Sequence, residues 1–142
     1  MKIKKYYHSN RERITVDKTH IEEYLAEVRQ KIKNGLFVLA TNFKRKDNIE
    51  LFTDYIIDEN IVKETISGLT SENFSEILRN EHKGFEHELL YVFGKTVSFE
   101  KRIGKKLTQV PLYIKINNIK YSSVIIISFH EQKYPVKFYF KR

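Results

Sequence analysis

The run Val124-Ile125-Ile126-Ile127 constrains this chain more than any other feature. Four consecutive branched apolar residues cannot alternate between core and water. The strand they form needs cover on both faces and belongs inside a sheet. Its neighbours in the second half of the chain, residues 88–93, 110–117 and 136–141, carry the same β-like character. The first half reads differently. Ile21, Leu25, Val28 and Ile32 recur at helical spacing and predict a helix over 17–34, with Thr19 and Glu22 as a capping box and Asn34-Gly35 as its stop. A buried strand follows over 36–41, then a polar loop to Asn48 and a short strand over 49–53 paired with it. A second helix is expected at 59–67, between Asp58 as N-cap and Gly68. Thr70 is expected to cap a short third helix with Phe74, Ile77 and Leu78 inward, and residues 79–86 form a charged loop. Helices first and strands last predict an α+β fold, N-terminal helices packed on a C-terminal antiparallel sheet. Residues 1–142 read as one domain, with 1–16 a short strand or a basic arm.

Charge points to the class of partner. The 26 basic against 18 acidic residues give a net charge of +8, which favours an acidic partner, nucleic acid first. The same lysines also serve solubility. The chain has no cysteine, which excludes disulfides and thiolate metal sites and fits a reducing compartment. No apolar run reaches the length of a membrane helix, and Met1-Lys2-Ile3-Lys4-Lys5 has no apolar region behind it, so it does not read as a signal peptide. The expected location is the cytoplasm, with no membrane partner.

Most enzyme signatures are absent. The glycines are scattered rather than gathered into a phosphate loop, and there is no nucleophile elbow or helical zinc motif. His82, Glu86 and His87 sit in a charged loop at loose spacing, so no metal and no other cofactor is expected. The residues that remain suit metal-free RNA cleavage. That reaction needs a base for the ribose 2′-hydroxyl, a cation at the phosphate and an acid for the leaving 5′-oxygen. Histidine is the natural proton carrier near neutral pH. Tyr113 and Lys115, two apart on one strand, share a face, as do Ser128 and His130 on another. Lys44, Arg45, Lys46, Lys95, Lys101, Arg102, Lys105 and Lys106 are the candidate RNA contacts. Each has a plainer reading: a surface histidine, a half-buried strand tyrosine, the polar half of an alternating strand, solvated basic loops.

Four segments carry a resemblance: Ile66-Ser67-Gly68-Leu69-Thr70-Ser71-Glu72-Asn73-Phe74, Glu88-Leu89-Leu90-Tyr91-Val92-Phe93-Gly94-Lys95, Leu112-Tyr113-Ile114-Lys115-Ile116, and Ile127-Ser128-Phe129-His130-Glu131 ahead of Tyr134-Pro135. In this order and spacing the chain resembles the MqsR family of type II toxin–antitoxin modules, with its RelE-like fold. The resemblance implies a metal-independent endoribonuclease that cleaves mRNA and is neutralised by an antitoxin protein, often a zinc-binding helix-turn-helix protein. It places the family's catalytic tyrosine on Tyr113 and its C-terminal catalytic lysine on His130. Two positions depart from the pattern: a catalytic lysine falls on Glu76, and an active-site glutamine falls near Glu88. The catalytic set is therefore His130 as acid/base, Tyr113 as its partner and Lys115 as phosphate clamp. The alternative is a non-catalytic RNA- or protein-binding member of the same fold, such as a mobile-element inhibitor of a nucleic-acid enzyme.

This set makes a geometric demand. A tight turn at Asn117-Asn118, the better local signal, leaves His130 about 26 Å from Tyr113. A turn at Tyr121-Ser122 puts the two directly opposite each other. The later turn is the one expected, with Asn117-Asn118 an irregularity within the strand.

Overall fold

A computed structural model of the chain describes residues 4–5, 16–40 and 46–140. It is an α+β structure in which three helices precede most of the strands. In chain order the elements are β1 (Lys4–Lys5), α1 (Lys18–Lys33), β2 (Phe37–Leu39), α2 (Lys46–Asp54), α3 (Glu59–Ser67), β3 (Phe74–Arg79), β4 (Leu89–Glu100), β5 (Leu107–Asn118) and β6 (Val124–Glu131). The six strands form one sheet in the order β1-β3-β4-β5-β6-β2. The sheet is mixed rather than wholly antiparallel, because β2 runs parallel to β6. β2 leaves α1 at the far edge and flanks the apolar strand, so β6 is paired on both sides as its composition requires.

Helix α1 buries Ile21, Leu25 and Val28. Its cap differs from the expected box. The Asp17 side chain accepts from the His20 N–H at 2.8 Å, while Glu22 accepts from the Ser71 N–H at 2.8 Å. Glu22 thus ties α1 to the turn before β3 instead of closing its own helix. Helix α3 has the expected Asp58 cap and ends at Gly68.

Three segments correct the sequence reading. Residues 49–53 belong to helix α2, not a strand. Asn48 and Leu51 form its buried face, with Tyr55 buried just past its end, and the polar Asn48 hides that pattern. Residues 74–79 form β3, not a helix. Thr70 caps only a single 3-10 turn, Ser71–Asn73. A one-residue irregularity at Ser75 puts Phe74 and Ile77, three apart, on one face of the strand, which imitates helical spacing. Residues 136–140 form no strand. The tail is held by single bonds, Tyr139 N–H to Phe74 O at 2.9 Å and Ser75 Oγ–H to Lys137 O at 2.6 Å.

The helices pack on one face of the sheet. There Ile21, Leu25, Val28, Leu51, Val62 and Ile66 meet Phe74, Tyr91, Phe93, Leu112, Ile114 and Phe129 in the main core. The second face carries a smaller cluster, Leu78, Leu90, Val92 and Ile127 with Tyr113 and Ile125 against it, to which no helix residue among those described contributes.

The turn between β5 and β6 is the later one. β5 runs straight to Asn118, the Ser122 N–H bonds Ile119 O at 3.1 Å, and Tyr121 takes a positive φ of 62°. The irregularity is not at Asn117-Asn118 as expected. Asn117 is buried because its amide donates to Glu88 at 3.0 Å. The shift lies on β6 instead, where Lys115 pairs with Ser128 but Ile116 pairs with Ile126, leaving Ile127 as an extra residue.

Candidate functional site

Tyr113 and His130 are direct cross-strand partners, and opposite residues project from the same face of a sheet. Their rings stack with centroids 5.2 Å apart and planes 14° from parallel. One row along, Lys115 sits opposite the buried Ser128. Val92 lies on the other side of Lys115 and Glu76 beyond it on β3. Tyrosine, histidine, lysine, serine and glutamate therefore share the second face across four adjacent strands, β3 to β6, a span of about 14 Å.

The chemistry of each group follows from its surroundings. Burial first, and the negative charge of Glu76 second, push the Tyr113 phenol up to about 12. Tyr113 stays protonated under physiological conditions and acts as a hydrogen-bond donor, not a base. The Nδ1 of His130 lies 2.9 Å from the Glu131 carbonyl oxygen. A carbonyl only accepts, so Nδ1 carries the proton and the lone pair of the neutral ring is on Nε2. Proton exchange with a substrate then runs through Nε2.

Two features frame the pair. Directly opposite Tyr113 on its other side is Gly94, where a side chain would meet Val136 at 3.0 Å. The tail crosses the sheet there, pinned by Gln132, whose Nε2 donates to Leu112 O at 3.0 Å and whose Oε1 accepts from the Val136 N–H at 3.1 Å. Beside His130 is a cleft of about 240 Å³ lined by Asp47, Glu50 and Asp54 of α2 with Glu131 and Lys133. Lys133 bonds Asp47 at 2.9 Å and holds its carboxyl below the usual carboxylate range.

No protein-family model, curated protein or solved structure matches this chain. The reading of the site therefore rests on its own residues.

The structure brings together Tyr113, His130 and Lys115, but the basic candidates are dispersed. Lys44 and Arg45 lie outside the described residues. Lys46 opens α2 next to Asp47 of the cleft. Lys95 is on the other face of the sheet, where its Nζ donates to Gly68 O at the end of α3 at 3.2 Å. Lys101, Arg102, Lys105 and Lys106 form the exposed β4–β5 turn. Arg102 is anchored there by its Nε donating to Phe52 O at the end of α2 at 3.0 Å. From Tyr113 to Leu107, where that turn begins, is about 20 Å along β5. Glu88 lies at the opposite end of the sheet, bonded to Asn117 and Asn80, so of the two acidic departures only Glu76 bears on the pair. Among the described residues no group of three His, Asp or Glu side chains is placed to hold a metal ion. No helix there is long and apolar enough to cross a membrane.

Sequence reasoning passed over Gly94, Gln132 and Asn48. A glycine inside an otherwise apolar strand was the available signal for the first, since it marks a close approach of another segment. Asn48 was readable only once its helix was recognised, and Gln132 left no signal.

Proposed function

We propose that this protein is a metal-independent endoribonuclease of the MqsR/RelE-like toxin type, acting on mRNA and silenced by an antitoxin protein. The observation that carries the reading is the stacked Tyr113–His130 pair, with Lys115 and Glu76 on the same face. In the proposed reaction the ribose 2′-oxygen attacks phosphorus and the bond to the 5′-oxygen breaks. Glu76 takes the 2′-hydroxyl proton, and the His130 imidazolium delivers one from Nε2 to the leaving 5′-oxygen. The Tyr113 O–H donates to a non-bridging phosphate oxygen, and Lys115 offsets the charge that builds there. Glutamate at position 76 thus becomes a base in place of the lysine that the resemblance implies. The basic β4–β5 turn, with Lys101, Arg102, Lys105 and Lys106, is the proposed contact for the flanking RNA backbone.

A second reading is favoured by one observation. Asp47, Glu50, Asp54 and Glu131 crowd the cleft beside His130, which repels a polyanion and suits a basic partner protein. In that case the fold binds a basic partner protein without catalysis. Expression of wild type against His130→Ala separates the two. Growth arrest with RNA decay that His130→Ala abolishes supports the nuclease. Equal effects of both chains support the binding module.

A further inference from the structure

The position of His130 depends on a single extra residue. Ile116 pairs with Ile126, and if that register continued, Tyr113 would face Phe129 while His130 turned into the main core. The extra residue at Ile127 reverses this. Phe129 enters the core, fully buried and stacked on Phe52 with centroids 6.1 Å apart, and His130 emerges beside Tyr113. A bulge of this kind leaves backbone groups without ladder partners. Among the described residues, the last backbone bond from the β2 side to β6 is that from the Ala40 N–H to Ile126 O. One side chain fills the gap. Asn48 of α2, only 1% exposed, accepts from the Phe129 N–H at 2.8 Å and donates to Ile127 O and Ala40 O, both at 3.0 Å. Its amide thus joins the end of the β2 segment to the bulged stretch of β6.

We propose that Asn48 is a positioning residue for the candidate site: by fixing the bulge at Ile127 it holds His130 on the face of Tyr113. The inference rests on the proposed role of that pair for its consequence in catalysis, but not for its geometry. The charge and hydrogen-bond pattern of the amide are what matter. In Asn48→Ala, the Phe129 N–H, Ile127 O and Ala40 O all lose a buried partner, and the unbulged register becomes the way to recover ladder bonds. In Asn48→Asp, the ionised carboxylate faces two carbonyl oxygens. Burial beside them raises its pKa, and the protonated form regains one donor and one acceptor.

The test follows nuclear Overhauser contacts between the rings of Tyr113 and His130, together with kcat and KM for RNA cleavage. In Asn48→Ala the Tyr113–His130 contacts are lost and Tyr113–Phe129 contacts replace them. The kcat falls about 100-fold, the scale of an ångström's misplacement of a reacting group, with little change in KM. In Asn48→Asp the Tyr113–His130 contacts return as the pH is lowered through the carboxyl's titration. Folded Asn48→Ala that keeps those contacts overturns the proposal. If Asn48→Ala does not fold, Asn48→Asp decides alone: contacts that are the same on both sides of the titration overturn it. If wild type does not cleave RNA, the nuclease reading fails while the ring contacts still decide the role of Asn48.

Discussion

Adding one methyl group at Gly94 tests how the C-terminal tail is held over the sheet. A Cβ built there lies 3.0 Å from both Cβ and Cγ1 of Val136 and 3.2 Å from Nε2 of Gln132. Carbon atoms in ordinary contact sit about 3.5–4.0 Å apart, so the tail must move by about half an ångström. Overpacking of this kind costs roughly 1–3 kcal/mol, and replacing glycine with alanine in a strand returns about 0.5–1 kcal/mol of chain entropy. The net expectation for Gly94→Ala is a loss of about 1 kcal/mol, or about 4 °C in Tm. Because Val136 Cβ is itself in the way, Val136→Ala gives no relief, whereas Val136→Gly does. In the Val136→Gly background Gly94→Ala is neutral or stabilising, so a double-mutant cycle shows coupling of about 1 kcal/mol or more. Urea unfolding of the four chains measures it. If Gly94→Ala stabilises the otherwise wild-type protein, Val136 does not lie against Gly94 and the description of the tail is wrong.

Three further outcomes follow from the same structure. Tyr113, raised to about 12 from an ordinary 10.0, keeps its proton in the folded chain where the unfolded chain has lost it. Its contribution to stability is therefore complete below pH 10 and is lost as pH rises toward 12. Tyr113→Phe shows a shallower alkaline loss, and an unchanged slope contradicts the shift. Asp17→Ala costs about 1 kcal/mol through the lost cap of α1 while Thr19→Ala is near neutral, and the reverse order in thermal melts contradicts the cap assignment. RNA affinity falls steeply between low and moderate salt as Lys and Arg contacts release counterions, and charge reversal at Lys105 and Lys106 flattens that dependence. An affinity insensitive to salt removes the electrostatic basis of binding.

What could be read in the sequence, and what could not, follows one physical line. Segments whose apolar residues sit on one unbroken period were legible: the stripe Ile21, Leu25, Val28 in α1, and the run from Val124 in β6. Segments whose period is interrupted were not. A buried asparagine breaks the stripe of α2, and an extra residue at Ser75 lends β3 a helical spacing. The tail has strand-like composition, but Pro135 and its single bonds to Phe74 and Ser75 keep it out of the ladder. The placement of Tyr113 opposite His130 was expected from the later turn. Its cause was not, because it depends on the Ile127 bulge and on an amide from a helix about eighty residues earlier. Long-range hydrogen bonds leave no local pattern. The scatter of the basic residues over both faces was equally illegible, since charge composition carries no direction.

The most direct measurement is the chemistry of the RNA ends. Purified protein is incubated with single-stranded RNA in the presence of EDTA, and the termini are identified by mass spectrometry. The expected products carry a 2′,3′-cyclic phosphate and a 5′-hydroxyl, and His130→Ala yields none. Absence of cleavage by the wild-type chain, 5′-phosphate ends, or undiminished cleavage by His130→Ala contradicts the assignment of the Tyr113–His130 pair as the centre of a ribonuclease.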